Sequence, residues 1–108
     1  MGASMVKIES KSENDLLIDM HKKVNKENVY YWLGGRTVFV GDSTFEWADN
    51  TPIVYKNWMK GEPNNVDLKT GACINIFTET GYWHDYYCVG YPHMRQLCEK
   101  KIVSIMFM

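Results

Sequence analysis

The chain has almost no net charge: 12 basic and 13 acidic residues leave -1. That balance gives no electrostatic footprint for nucleic acid or an anionic membrane. Long hydrophobic runs are missing too. The longest, Ile102 to Met108, is far short of the ~20 apolar residues that cross a bilayer, so membrane insertion is not expected. No charged-then-apolar leader opens the sequence, and no Asn-x-Ser/Thr sequon occurs in it. Cysteine is scarce: Cys73, Cys88 and Cys98 only. No Cys-x-x-Cys pair exists, which excludes a zinc knuckle and a thioredoxin-type redox pair. An odd count leaves at least one thiol without a partner inside the chain, and the alternative it allows is three reduced, buried thiols in a cytosolic protein.

What the chain does have is aromatic bulk. Aromatics make up 14% of 108 residues, with four Trp and seven Tyr. That is enough to dominate the core of one small domain and to exclude disorder. Near the start, "SMVKIES" alternates apolar and polar residues and reads as a short strand. Ser12 stands three residues before Asp15, a weaker version of a capping box. Leu16, Leu17, Met20 and Val24 follow at helical spacing, predicting a helix from Glu13 to about Val24. Lys22 and Lys23 fall in its last turn, where cations suit the helix dipole.

From Val29 the period changes. "VYYWLGG", "TVFVG", "TFEWAD", "CINIFT" and "YWHDYYCV" are short β-branched and aromatic runs separated by turn signals, and "MRQLCEKK" is one more candidate strand. One helix followed by many short strands predicts an α+β fold with an antiparallel sheet. The stretch from Trp58 to Ala72 has no periodicity, and loops of that length in a compact domain are usually functional or disordered.

Within it lies "KGEPNNVDLKTGAC", rich in side-chain oxygens: Glu62, Asn64, Asn65 and Asp67. If the Glu62–Pro63 peptide is cis, Glu62 and Asn64 turn to one side and present a carboxylate and an amide oxygen together. Hard oxygens in a flexible loop suit Ca²⁺, which takes roughly six to eight of them. Asp85 is a candidate for the second carboxylate. A Glu-Pro-Asn tripeptide alone would more often be a polar turn; its neighbours give it weight.

Those neighbours come in the order Trp32-Leu33-Gly34-Gly35, Phe45-Glu46-Trp47, Tyr55-Lys56-Asn57-Trp58, Glu62-Pro63-Asn64, Cys73, Trp83-His84-Asp85, Cys88 and Cys98. Together they resemble the C-type lectin-like domain from Gly2 to Glu99. The resemblance implies a double-looped α+β fold and an inner disulfide between Cys73 and Cys88. It also implies that the family's first strand and first helix are missing, leaving Cys98 without its usual partner. The domain would then be partial, over residues 1–101, with an apolar tail over 102–108. That tail is either a frayed terminus or a strand standing in for the missing one. In the family, Glu-Pro-Asn with Trp-Asn-Asp binds Ca²⁺ and, through it, mannose-type sugars. Residue by residue, Glu62, Asn64 and Asp85 match the metal ligands. Asn65 and His84 join them as ligand-binding candidates.

Two positions depart from the family pattern. Thr70, Gly71 and Ala72 stand where an acidic residue is expected before Cys73, and Asp67 is displaced along the loop. His84 replaces the Asn of Trp-Asn-Asp, and imidazole is a poor ligand for a hard cation. The expected Ca²⁺ site is therefore weakened. A mixed set of Glu62, His84 and Asp85 would suit Zn²⁺ better, although a surface histidine in a drifted site is the simpler reading. His21 and His93 read as solvent-facing. Trp32, Trp47, Trp58 and Trp83 read mostly as core. None of the cysteines has the setting of a nucleophile, and only one imidazole lies near the carboxylates, so catalysis is not expected. The resemblance implies a carbohydrate-binding module, extracellular, with glycans or glycoproteins as partners and oligomerisation as a source of multivalency. The alternative is a Ca²⁺-independent domain that binds a protein or other ligand.

Overall fold

The computed structural model describes residues 6–39, 44–64, 71–88 and the backbone of 94–96. The 102–108 tail, Asn65, Asp67, Thr70, His93 and Cys98 lie outside the described residues.

The first element is a helix, α1, Lys11–Val24. Ser10 caps it: its extended backbone (φ -155°) lets Oγ accept the Glu13 N–H at 3.1 Å. Glu13 reaches back to accept the Glu9 N–H at 3.3 Å. The capping pair is thus Ser10 and Glu13, not Ser12 and Asp15, and the helix starts earlier than the sequence suggested. Asp15 is occupied elsewhere, pairing with Lys11 one turn back at 2.7 Å.

The buried stripe of α1 is Asn14, Leu17, Ile18, Met20 and His21. Leu16 and Val24, which the apolar pattern placed in the stripe, are exposed. Two polar residues take part because their polar atoms are satisfied inside. Asn14 accepts the Trp83 indole N–H at 2.8 Å and donates to the Gly81 carbonyl at 3.0 Å. His21, expected at the surface, is 4% exposed, and its ring nitrogens lie 3.0 Å from the Tyr31 hydroxyl and 2.8 Å from the Glu27 carbonyl.

Among the described residues five strands follow: β1 Tyr30–Thr37, β2 Phe45–Trp47, β3 Ala72–Phe77, β4 Trp83–Tyr87 and β5 Met94–Gln96. The sheet order is β2-β1-β3-β4, with antiparallel pairing throughout that path. β5 instead pairs with β1 in parallel, Tyr30 opposite Met94. Side-chain alternation sets which face a residue occupies, not which way its strand runs, so the parallel pair was not readable from sequence. Val6 to Glu9 alternates as expected, with Val6 and Ile8 buried, but forms no strand. Its main chain is joined to β1 instead by the Gly34 N–H to Val6 carbonyl bond of 2.8 Å. Among the described residues the "TVFVG" run adds no separate strand: β1 ends at Thr37, and Val38 and Phe39 are exposed.

The core lies between α1 and one face of the sheet. Ile8, Leu17, Leu33, Ile74 and Ile76 meet there around Trp83, which is fully buried. Trp47, Tyr55 and Trp58 set their rings edge-on or nearly so against Trp83, with centroids 5.8 to 6.0 Å away. Trp47 and Trp83 are thus core residues, as expected, and Trp58 packs against the core from its rim. Among the described residues, no helix is long and apolar enough to cross a membrane.

Candidate functional site

β4 is the strand on which the site is built. The segment before the Glu-Pro-Asn loop docks along its start. Trp83 N–H donates to the Asn57 carbonyl at 2.8 Å, and Met59 N–H to the Trp83 carbonyl at 3.0 Å. A turn then follows, closed by Glu62 N–H to Met59 carbonyl at 2.9 Å, with Gly61 at φ +89°, where a side chain would be strained. The Glu62–Pro63 peptide is cis. The loop returns to β4 two residues beyond Trp83, where the Asn64 N–H donates to Asp85 Oδ1 at 2.8 Å.

The structure therefore brings Glu62, Asn64, His84 and Asp85 into one neighbourhood. Asp85 is 1% exposed, and the Glu62 side chain 11%. Burial, with the Asp85 carboxylate adding to it, pushes the Glu62 carboxyl above its ordinary value; a backbone hydrogen bond at Asp85 offsets part of this. His84 Nδ1 lies 3.7 Å from Glu62 Oε1. Burial pushes the imidazole below its ordinary value despite Asp85, so at neutral pH the ring is uncharged and this contact is not an ion pair. The ring is held edge-on to Tyr30 at 6.1 Å, and Tyr30 stacks on Phe77 at 4.5 Å.

Two carboxylates thus share a partly dry corner, with Asp85 adding to the burial that disfavours the Glu62 charge. A divalent ion fits that corner in charge and in donor hardness. Glu62, Asn64 and Asp85 could contribute oxygens to it, but only a part of the roughly six to eight that Ca²⁺ takes. The Zn²⁺ alternative fares worse. Among the described residues no three His, Cys, Asp or Glu side chains converge to hold a metal, and Glu62, His84 and Asp85 are not such a group.

Cys73 in β3 and Cys88, one residue past β4, form a disulfide with Cα atoms 5.0 Å apart. This settles the choice the cysteine count left open. The bridge closes the loop carrying the turn and β4, and in the chain-entropy model contributes ~3 kcal/mol.

A family model of the lectin C-type domain matches residues 1–100. The chain belongs to the C-type lectin domain family. It is 33% identical over 88 residues to a lectin from Pleurodeles waltl, covering 81% of this chain and 50% of that protein. A perlucin-like protein from Mytilus galloprovincialis is 31% identical over 90 residues, covering 82% and 56%. The chain spans about half the length of these curated relatives. Among solved structures, the carbohydrate-recognition domain of cow CD23, determined in the presence of a GlcNAc2Man3 oligosaccharide, superposes with a TM-score of 0.63 at 34% identity. That match covers 87% of this chain and 66% of that one. A calcium-independent type II antifreeze protein shares the fold, with a TM-score of 0.62 at 24% identity over 82% of this chain and 62% of that one.

A cleft away from this corner escaped the motif search. A cleft of about 500 Å³ lies between α1, the Tyr55–Asn57 segment and the turn from β3 to β4. Its walls come from three separated stretches with no local motif, so only the fold assembles it.

Proposed function

We propose that this C-type lectin domain binds mannose-type saccharides through a weak Ca²⁺ site formed by Glu62, Asn64 and Asp85. The observation that carries this reading is the 2.8 Å bond from the Asn64 N–H to Asp85 Oδ1. It joins the Glu-Pro-Asn loop to β4 and sets two carboxylates in one buried corner. When bound, the ion would neutralise those carboxylates and offer sugar hydroxyls a Lewis-acid contact. The Glu62 and Asn64 side chains would accept from, or donate to, the same hydroxyls and so select ring geometry. Asn65 and His84 would contact the sugar at the edges of this set. The domain acts as a binding module without catalysis, in an extracellular setting, on glycans or glycoproteins. Oligomerisation would raise a weak monovalent affinity through avidity. In this reading residues 1–101 form the binding domain, and 102–108 are an apolar C-terminal tail.

The experiment is retention on immobilised mannose in Ca²⁺ with release by EDTA. Wild type should be retained, and Glu62→Gln and Asp85→Asn should flow through while keeping native spectra. Retention of both variants would reject the assignment. A Ca²⁺-independent ligand is the second reading. It is favoured by Asp85 Oδ1 already accepting a main-chain bond and by the thin set of acidic donors among the described residues. Mannose retention that persists in EDTA would support that reading instead.

A further inference from the structure

The cleft between α1 and the β3–β4 turn is independent of the metal corner and has a chemistry of its own. Its charges cancel: Lys11 and Lys22 face Asp15 and Asp19. An ion of either sign would meet one partner and one repulsion, so the cleft selects no net charge. It has unused hydrogen-bonding capacity of both kinds. Asn57 Nδ2 donates to the Gly81 carbonyl at 2.7 Å, leaving its Oδ1 without a donor among the described residues. Tyr55 has its ring fixed against Trp83, and its hydroxyl has no hydrogen bond among the described residues. Burial, with Asp15 adding to it, holds that phenol above its ordinary value, so it stays a donor. Asp19 and Lys22 form no ion pair among the described residues. Tyr82, 45% exposed, adds an aromatic ring to the lining. Gly81 at the cleft floor packs closely on the helix: a Cβ there would meet Asn14 Nδ2 at 3.3 Å and Ile18 Cγ1 at 3.4 Å.

Neutral balance, mixed donors and acceptors, and aromatic carbon faces are what a polyhydroxyl ring uses: its hydroxyls both donate and accept, and its C–H face stacks on tyrosine. The volume also falls within the roughly 300–1,000 Å³ of small-molecule sites. We propose that this cleft is a second saccharide site, independent of Ca²⁺, that takes a neutral mono- or disaccharide between Tyr55, Asn57, Asp19 and Tyr82.

The test is an amide-shift titration of the ¹⁵N-labelled full chain with cellobiose in EDTA, which silences any metal-dependent site. Saturable millimolar shifts at the Asn57, Gly81 and Tyr82 amides are expected. Tyr82→Ala and Asp19→Asn, both at exposed positions, should each weaken them at least tenfold with the rest of the spectrum retained. Glu62→Gln should leave them unchanged. Absence of saturable shifts at those amides would overturn the proposal, as would wild-type shifts in both variants. The same shifts from glycine, a zwitterion without hydroxyl groups, would overturn the saccharide assignment.

Discussion

Asn14 is the joint between the helix and the binding strand, and replacing it should be among the most damaging single polar changes in the domain. It is 2% exposed and serves two groups at once, the Trp83 indole N–H and the Gly81 carbonyl. The two are not equally dependent on it. Gly81 also accepts from Asn57 Nδ2 at 2.7 Å, so its carbonyl stays bonded without Asn14. Trp83 is fully buried and Asn14 is its indole's partner, so Asn14→Ala leaves that N–H orphaned. Removing the partner of a buried donor costs about 1–3 kcal/mol, the lost bond included. That is a large share of the ~5–15 kcal/mol that holds a small domain. At roughly 4–8 °C per kcal/mol for a domain of this size, the melting midpoint should fall by about 10 °C. Asn57→Ala, which leaves Gly81 bonded to Asn14, should lose less than about 1 kcal/mol. The decisive assay is a double-mutant cycle by urea unfolding with Asn14→Ala and Trp83→Phe. Once the indole N–H is gone, removing Asn14 should do much less damage than it does alone. Additive losses, or a single-variant loss below about 0.5 kcal/mol, would refute the reasoning.

Glu62→Gln removes a carboxylate that burial and Asp85 disfavour, so in EDTA the variant should melt slightly above wild type. It should also lose the Ca²⁺ response, and a lower midpoint in EDTA would count against the corner as drawn. Gly35→Ala puts a Cβ 2.5 Å from Ile74 Cδ1 and 3.1 Å from Ile53 Cδ1, an overpacking that should destabilise by about 1–3 kcal/mol in chemical unfolding. Asp49 is held well below the usual carboxylate range by hydrogen bonds from Lys7 and Thr51. Its stabilisation is therefore present above the ordinary carboxylate pKa and fades as pH falls through the folded value. Wild type should lose a small increment of urea midpoint between pH 6 and pH 2 that Asp49→Asn does not lose. Equal losses in the two would show that the Lys7–Asp49 contact contributes nothing.

Much of the architecture was legible because alternation and aromatic content speak directly to half-buried strands. "CINIFT" became β3 with its bounds shifted by one residue, and "YWHDYYCV" contains the shorter β4. The order of aromatic landmarks, with Cys73 and Cys88, pointed to a family whose inner disulfide the structure contains. Three features were not legible, each for a physical reason. The stripe of α1 was misjudged because Asn14 and His21 are polar by type but apolar in effect once Trp83, Gly81, Tyr31 and Glu27 satisfy them. The cap moved because Ser10 and Ser12 both stand before acidic residues at the right spacing, and only backbone conformation chooses between them. At the candidate site, the side chains of Glu62, Asn64 and Asp85 could be named in advance. The bond that joins loop to strand could not, because it runs through the Asn64 main chain, which no side-chain motif encodes.

The central claim is that Glu62, Asn64 and Asp85 still form a working, if weak, metal-and-sugar site. The most direct measurement is a calorimetric Ca²⁺ titration of the folded chain with and without mannose, with EDTA as control. The account predicts saturable heat and an apparent Ca²⁺ affinity that tightens when mannose is present, because a sugar that binds through the ion must strengthen the ion's binding by the same factor. Flat traces on a folded sample, or Ca²⁺ binding that mannose leaves unchanged, would contradict it.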